Sequence, residues 1–172
     1  LFKTILDLHL ASVALLQIIC YPKTMDYMEE AINEAYEGIK QKHGGPFGCV
    51  IEKDGLIIGR GHNTVLKNHD PTCHGEIEAI RNACKKLGTH DLSGASLYTT
   101  AEPCPMCMGA ILWSNIRKVF YGCSISDTDK IGFRDDKFYQ AFSDRSSILQ
   151  EKDREKCLDL FEAYQKSNAQ RY

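Results

Sequence analysis

The apolar positions change their period along the chain, and each change marks an element. Across residues 26–42, Met28, Ala31, Ile32, Ala35 and Ile39 recur at the spacing of one helix face. Asp26, with Glu29 three residues on, predicts a capped start, and Gly44-Gly45-Pro46 predicts a firm end. Residues 47–53 then read as a strand, Asp54-Gly55 as a two-residue hairpin turn and residues 56–61 as the antiparallel partner. Residues 62–73 are polar, contain Asp70-Pro71 and predict a loop. The helical period returns with Ile77, Ile80, Cys84 and Leu87 and stops at Gly88. Strand formers follow at 95–101, a third helix at about 105–114 and a further strand at 117–122.

Beyond that the pattern weakens. Residues 124–136 are polar, 138–142 predict a helical turn, and 153–165 predict a terminal helix with Cys157, Leu158, Phe161 and Tyr164 on its apolar side. Strands alternating with helices imply an α/β layered domain whose partly parallel sheet is covered on both faces. At 172 residues the chain supports one domain with its own core. We place that domain at 25–172, starting near Met25, and read residues 1–24 as an extension without chemistry. The apolar run from Ile5 to Cys20 is broken by Asp7, His9 and Gln17, which makes it too short and too interrupted for a membrane span.

Charge narrows the partners. Lys and Arg number 21 against 23 Asp and Glu, so no basic excess is available for a phosphate backbone, and a nucleic-acid partner is disfavoured. The eight cysteines are dispersed rather than clustered in a short secreted framework, which implies a reducing cytoplasm, free thiols and two metal ligands.

Those ligands belong to the one stretch that carries chemistry. His74-Gly75-Glu76 is followed, thirty positions after His74, by Cys104-Pro105-Met106-Cys107. Three protein ligands with an open fourth position are the pattern of a catalytic Zn2+ site, one ion per chain. Cysteines three apart at a helix start share a face, Pro105 suits the first turn, and the helix N-terminus favours thiolate. His74 and Glu76 are two apart and would diverge on a regular helix, so both are expected at a helix entry. Glu76 is then free to move protons from a water beside the metal. Alone, a Cys-x-x-Cys could be a redox pair and a His-x-Glu nothing; His-x-Glu followed by Pro-Cys-x-x-Cys is the pattern of zinc deaminases.

With these residues in hand, the chain from about Met25 resembles the cytidine-deaminase-like superfamily, and within it the bacterial guanine deaminases and their nucleoside deaminase relatives. The resemblance rests on Gly44-Gly45-Pro46-Phe47-Gly48, Gly61-His62-Asn63, Asp70-Pro71-Thr72, His74-Gly75-Glu76, Glu102-Pro103-Cys104-Pro105-Met106-Cys107 and Gly132-Phe133-Arg134-Asp135-Asp136. It fades between Phe142 and the last few residues.

The resemblance implies a three-layer α/β/α sandwich around a five-stranded mixed sheet, and roles that spacing does not assign. Asn63 would hydrogen-bond a nucleobase and Phe47 would pack on its ring. Asp135 would relay protons beside Glu76. Tyr172 would close over a partner's site through a swapped C-terminus in a homodimer. Gly75, where many relatives carry alanine, and Gly59-Arg60-Gly61-His62-Asn63 resemble instead the yeast-type cytosine deaminases. The expected activity is hydrolytic deamination of a free base, guanine first, with cytosine or a nucleoside next and tRNA adenosine below them. A catalytically silent zinc-stabilised module is the reading from another class.

Overall fold

The computed structural model describes residues 25–133 and 135–141, with Arg154 and Leu158 beyond them. Helix α1 (Tyr27–Lys40) leads into strands β1 (Gly48–Lys53) and β2 (Leu56–His62). A short helix α2 (Val65–Asn68) and a longer α3 (Gly75–Leu87) follow. Then come β3 (Ser96–Ala101), α4 (Pro105–Trp113), β4 (Lys118–Cys123), α5 (Ile125–Lys130) and α6 (Asp135–Ala141).

The hairpin forms as its turn chemistry requires. Asp54 and Gly55 both take positive φ, 53° and 81°, the combination of a type I′ turn. The sheet runs β2-β1-β3-β4, with β1 antiparallel to both neighbours and β3 parallel to β4, so it is mixed. Among the described residues it has four strands, where the family resemblance implied five. The expected helix at 153–165, apart from Arg154 and Leu158, lies outside the described residues, as do Tyr172 and residues 1–24.

Alternation along β1 sends side chains to two helical layers. Gly48 backs onto Ala31 and Ala35 of α1, while Cys49 and Ile51 join Ala79 and Ala83 of α3 and Ile111 of α4 in the core on the other face. Ile51, Leu97, Ile111 and Ile116 are almost completely buried, each contributing about 1.5–3 kcal/mol of transfer free energy.

The helix faces correct the sequence reading. On α1 the buried positions are Ala31, Ala35 and Gly38, while Ile32 and Ile39 are exposed. On α3 they are Gly75, Glu76, Ala79 and Ala83, with Leu87 exposed and Ile80 and Cys84 packed at the edge of the core. The cause is close approach: a Cβ on Gly61 of β2 would come within 2.5 Å of Ala79 N and Gly75 O. Small residues therefore face the sheet, and the larger apolar side chains beside them are displaced outward.

This topology brings one end of every strand to the same edge. Gly48 opposite His62 and Ala101 opposite Cys123 place the start of β1 and the ends of β2, β3 and β4 together. What leaves those ends forms the site.

Candidate metal centre and cavity

His74 is the N-cap of α3 and Cys104 the N-cap of α4, both with extended backbone (ψ 158° and 168°), and Pro105 occupies the first turn of α4. The predicted entry geometry is therefore present. His74 Nδ1 lies 3.6 Å from Cys104 Sγ and 3.6 Å from Cys107 Sγ. Zn–N and Zn–S bonds meeting at a tetrahedral angle leave their donor atoms about 3.6 Å apart, so the spacing fits this ion.

The charge state of the donors agrees. The hydrogen bond from Cys107 is the main cause lowering the Cys104 pKa, to about 4, and the same bond is the main cause raising Cys107. One thiolate thus holds its neighbour's proton, and a divalent cation would take that proton's place. Glu76 lies outside the donor triad. It is buried, and that burial is the main cause holding its carboxyl above the ordinary range.

His74, Glu76 and Cys104 open onto a cavity of about 560 Å³, within the size range of small-molecule sites. Phe47, Asn63 and Asp135 line it too, so the structure brings six of the eight sequence-predicted residues to its wall. Cys107 lies behind as a fully buried donor, and Tyr172 is outside the described residues.

Phe47, Asn63 and Asp135 are each held by a contact from another segment. Asn63 N–H donates to Phe47 O at 2.8 Å, and Asn63 Oδ1 accepts from Val65 N–H at 3.2 Å. A Cβ on Gly44 would collide with that Oδ1, so only glycine fits there. Asp135, half-buried at the start of α6, accepts from Thr128 Oγ1 at 3.4 Å, and burial is the main cause raising its pKa.

Several residues without a sequence-assigned role also shape the cavity. The Phe133 ring meets Phe47 edge-on, with centroids 4.7 Å apart and planes at 80°. Glu102 lines the wall and accepts from Ile125 N–H at 3.0 Å, tying α5 to the strand that leads to Cys104. Tyr139 O–H donates to Pro103 O at 3.0 Å, docking α6 on the same loop. Gly132, at φ 92° before Phe133, was the available signal for a turn presenting an aromatic ring. Helix α2 in the expected loop carried no such mark, because its start is capped by the distant His43 carbonyl, which accepts from Leu66 and Lys67 N–H.

The family model of the cytidine and deoxycytidylate deaminase zinc-binding region matches residues 22–123. The chain is 47% identical over 114 residues to guanine deaminase of Bacillus subtilis, a match spanning 66% of this chain and 73% of that protein. The solved structure of guanine deaminase from Bacillus subtilis matches with a TM-score of 0.81 at 38% identity, over 86% of this chain and 99% of that one. The tRNA-specific adenosine deaminase of Bacillus subtilis is 46% identical over 96 residues, 56% of this chain and 59% of that protein. A structure of guanine deaminase from Nitrosomonas europaea matches with a TM-score of 0.60 at 34% identity, over 63% of each chain.

Proposed function

The chain belongs to the cytidine and deoxycytidylate deaminase family, defined by its zinc-binding region, and on that premise we propose that it hydrolytically deaminates a free nucleobase, guanine to xanthine with release of ammonia. One observation carries the proposal. The buried Glu76 carboxyl and two of the three donors, His74 and Cys104, open onto a single base-sized cavity shared with Phe47, Asn63 and Asp135.

When bound, zinc would be held by His74, Cys104 and Cys107 and would lower the pKa of a coordinated water to about 7. Glu76 takes a proton from the attacking water and passes it to the ring nitrogen beside the carbon under attack. Asp135, or Glu76 a second time, protonates the exocyclic amine as its C–N bond breaks. Atoms balance as base plus water giving oxo-base plus ammonia. Phe47 and Phe133 present aromatic surface to the ring. Asn63, with Oδ1 held by Val65, offers its Nδ2 donors to a ring acceptor.

The wider reading includes a homodimer in which a swapped C-terminus brings Tyr172 over the partner's cavity, a fifth strand completing the sheet, and a catalytic domain starting near Met25. A cytoplasmic location suits a site that needs two reduced cysteines. Among the described residues, no helix is long and apolar enough to cross a membrane.

Similarity to the tRNA-specific adenosine deaminase supports a second reading. Ammonia release from guanine, cytosine, adenine, their nucleosides and tRNA separates the two. We expect guanine to dominate. Turnover of tRNA alone would replace the proposal with the second reading, and zinc content without any turnover would leave a binding module.

A further inference from the structure

The family chemistry leaves a chain of titratable groups behind one cavity wall unused. His62 Nδ1 at the end of β2 lies 3.4 Å from Glu34 Oε2 on α1, and His62 Nε2 lies 2.9 Å from His43 Nδ1. The two imidazoles stack with centroids 5.2 Å apart and planes 19° apart. A Cβ on Gly38 would come within 2.8 Å of His62 Cδ2, so a bare α-carbon on α1 makes room for the ring.

Both histidines are tied to cavity residues through the backbone. His62 precedes Asn63, and His43 precedes Gly44 and Gly45, all three of which line the cavity. His43 N–H donates to Gly38 O at 2.9 Å, and its carbonyl accepts from Leu66 and Lys67 N–H at 3.0 and 3.1 Å, with Leu66 again a lining residue. Movement of either ring would therefore be felt at Gly44, Asn63 and Leu66 together.

We propose that Glu34, His62 and His43 are positioning residues that fix the base-binding wall, and that they hold it only while the imidazole pair carries no more than one extra proton. With both rings neutral, His43 Nδ1–H donates to His62 Nε2 and His62 Nδ1–H donates to the Glu34 carboxylate, so each group is satisfied. One added proton goes to the outer nitrogen of His43 and leaves the chain intact. A second sets two N–H groups against each other across 2.9 Å and breaks it. The other charged groups facing the chain are Glu30 from α1, Arg60 from β2, which pairs with Glu30 at 2.6 Å and Glu34 at 3.5 Å, and Lys67 from α2.

The sign follows from His43, whose pKa is lowered, first by burial, then by Lys67 and His62. Because this makes the pair as a whole harder to protonate, the stabilisation from the intact chain is fully present above about pH 6.5 and is lost only as pH falls far enough to put a second proton on the pair.

The kinetic test rests on the proposed base deamination; the spectroscopic one does not. In the wild-type zinc-loaded protein, KM for guanine should rise about fivefold on acidification from neutral pH, the worth of one lost hydrogen bond. In His43→Leu, KM should already be raised at neutral pH and should not change further on acidification, with kcat little altered. His62→Gln serves if His43→Leu does not fold. A KM that keeps its wild-type pH slope in the variant overturns the proposal. Nitrogen NMR of the wild-type imidazoles should show one proton shared between His43 Nδ1 and His62 Nε2. Two rings that titrate independently would overturn the proposal even in a protein that turns over no base.

Discussion

His74, Glu76, Cys104 and Cys107 sit in or beside the first turns of two helices packed on one face of the sheet, whereas Phe47 and Asn63 come from two connections and Asp135 from the start of α6. The metal wall is set by local geometry: two extended N-caps, a proline in the first turn and a three-residue spacing between cysteines. The wall proposed to face the base is set by contacts between segments, Phe47 with Phe133, Asn63 N–H with Phe47 O, and Asp135 with Thr128. Damage to the first should therefore be all-or-none, while damage to the second should be graded and should leave the metal in place.

Removing a metal ligand should have the largest effect. Cys107→Ala, or chelation of the wild-type protein, should take ammonia release to the background rate, because a water without the ion returns towards a pKa of about 15.7. Metal analysis should show zinc lost in parallel. Retained zinc with lost turnover would mean that Cys107 is not a ligand.

Asp135→Asn should lower kcat by about 10²-fold, the lower end of what a positioned proton donor supplies, with zinc content unchanged. An unaltered kcat would confine proton transfer to Glu76. Asn63→Ala should act mainly on KM, raising it about tenfold. It also leaves the Val65 N–H unpaired, at a cost of about 1–3 kcal/mol in thermal or denaturant unfolding. Loss of zinc in Asn63→Ala would break the separation between the walls.

The smallest effect is expected where the walls touch. A Cβ on Gly75 would lie 3.0 Å from Phe47 O, requiring a shift of a few tenths of an ångström. Gly75→Ala also removes a flexible residue from the first turn of α3, so its stability should stay within about 1 kcal/mol of wild type. Its kcat/KM for guanine against cytosine is the sensitive readout, because the shift falls on Phe47.

The same division explains what was legible in the sequence. His74, Glu76, Cys104 and Cys107 could be placed because their geometry is local, and the Asp54-Gly55 hairpin because its turn needs two positive φ angles. The helix faces were misread because the glycines of β1 and β2 admit helices at a distance where Ala31, Ala35, Ala79 and Ala83, rather than isoleucine, fill the gap. Helix α2, the docking of Tyr139 on Pro103 and the pairing of Phe47 with Phe133 depend on residues far apart in the chain, which no local pattern reports.

The central claim is that a buried carboxylate beside a three-ligand zinc site moves the protons of a base deamination. Ammonia release from guanine by zinc-loaded wild-type protein and by Glu76→Gln, at matched zinc content, tests it most directly. A loss of about 10²–10⁴-fold in kcat with full zinc occupancy is the predicted result. Undiminished turnover by Glu76→Gln would contradict it.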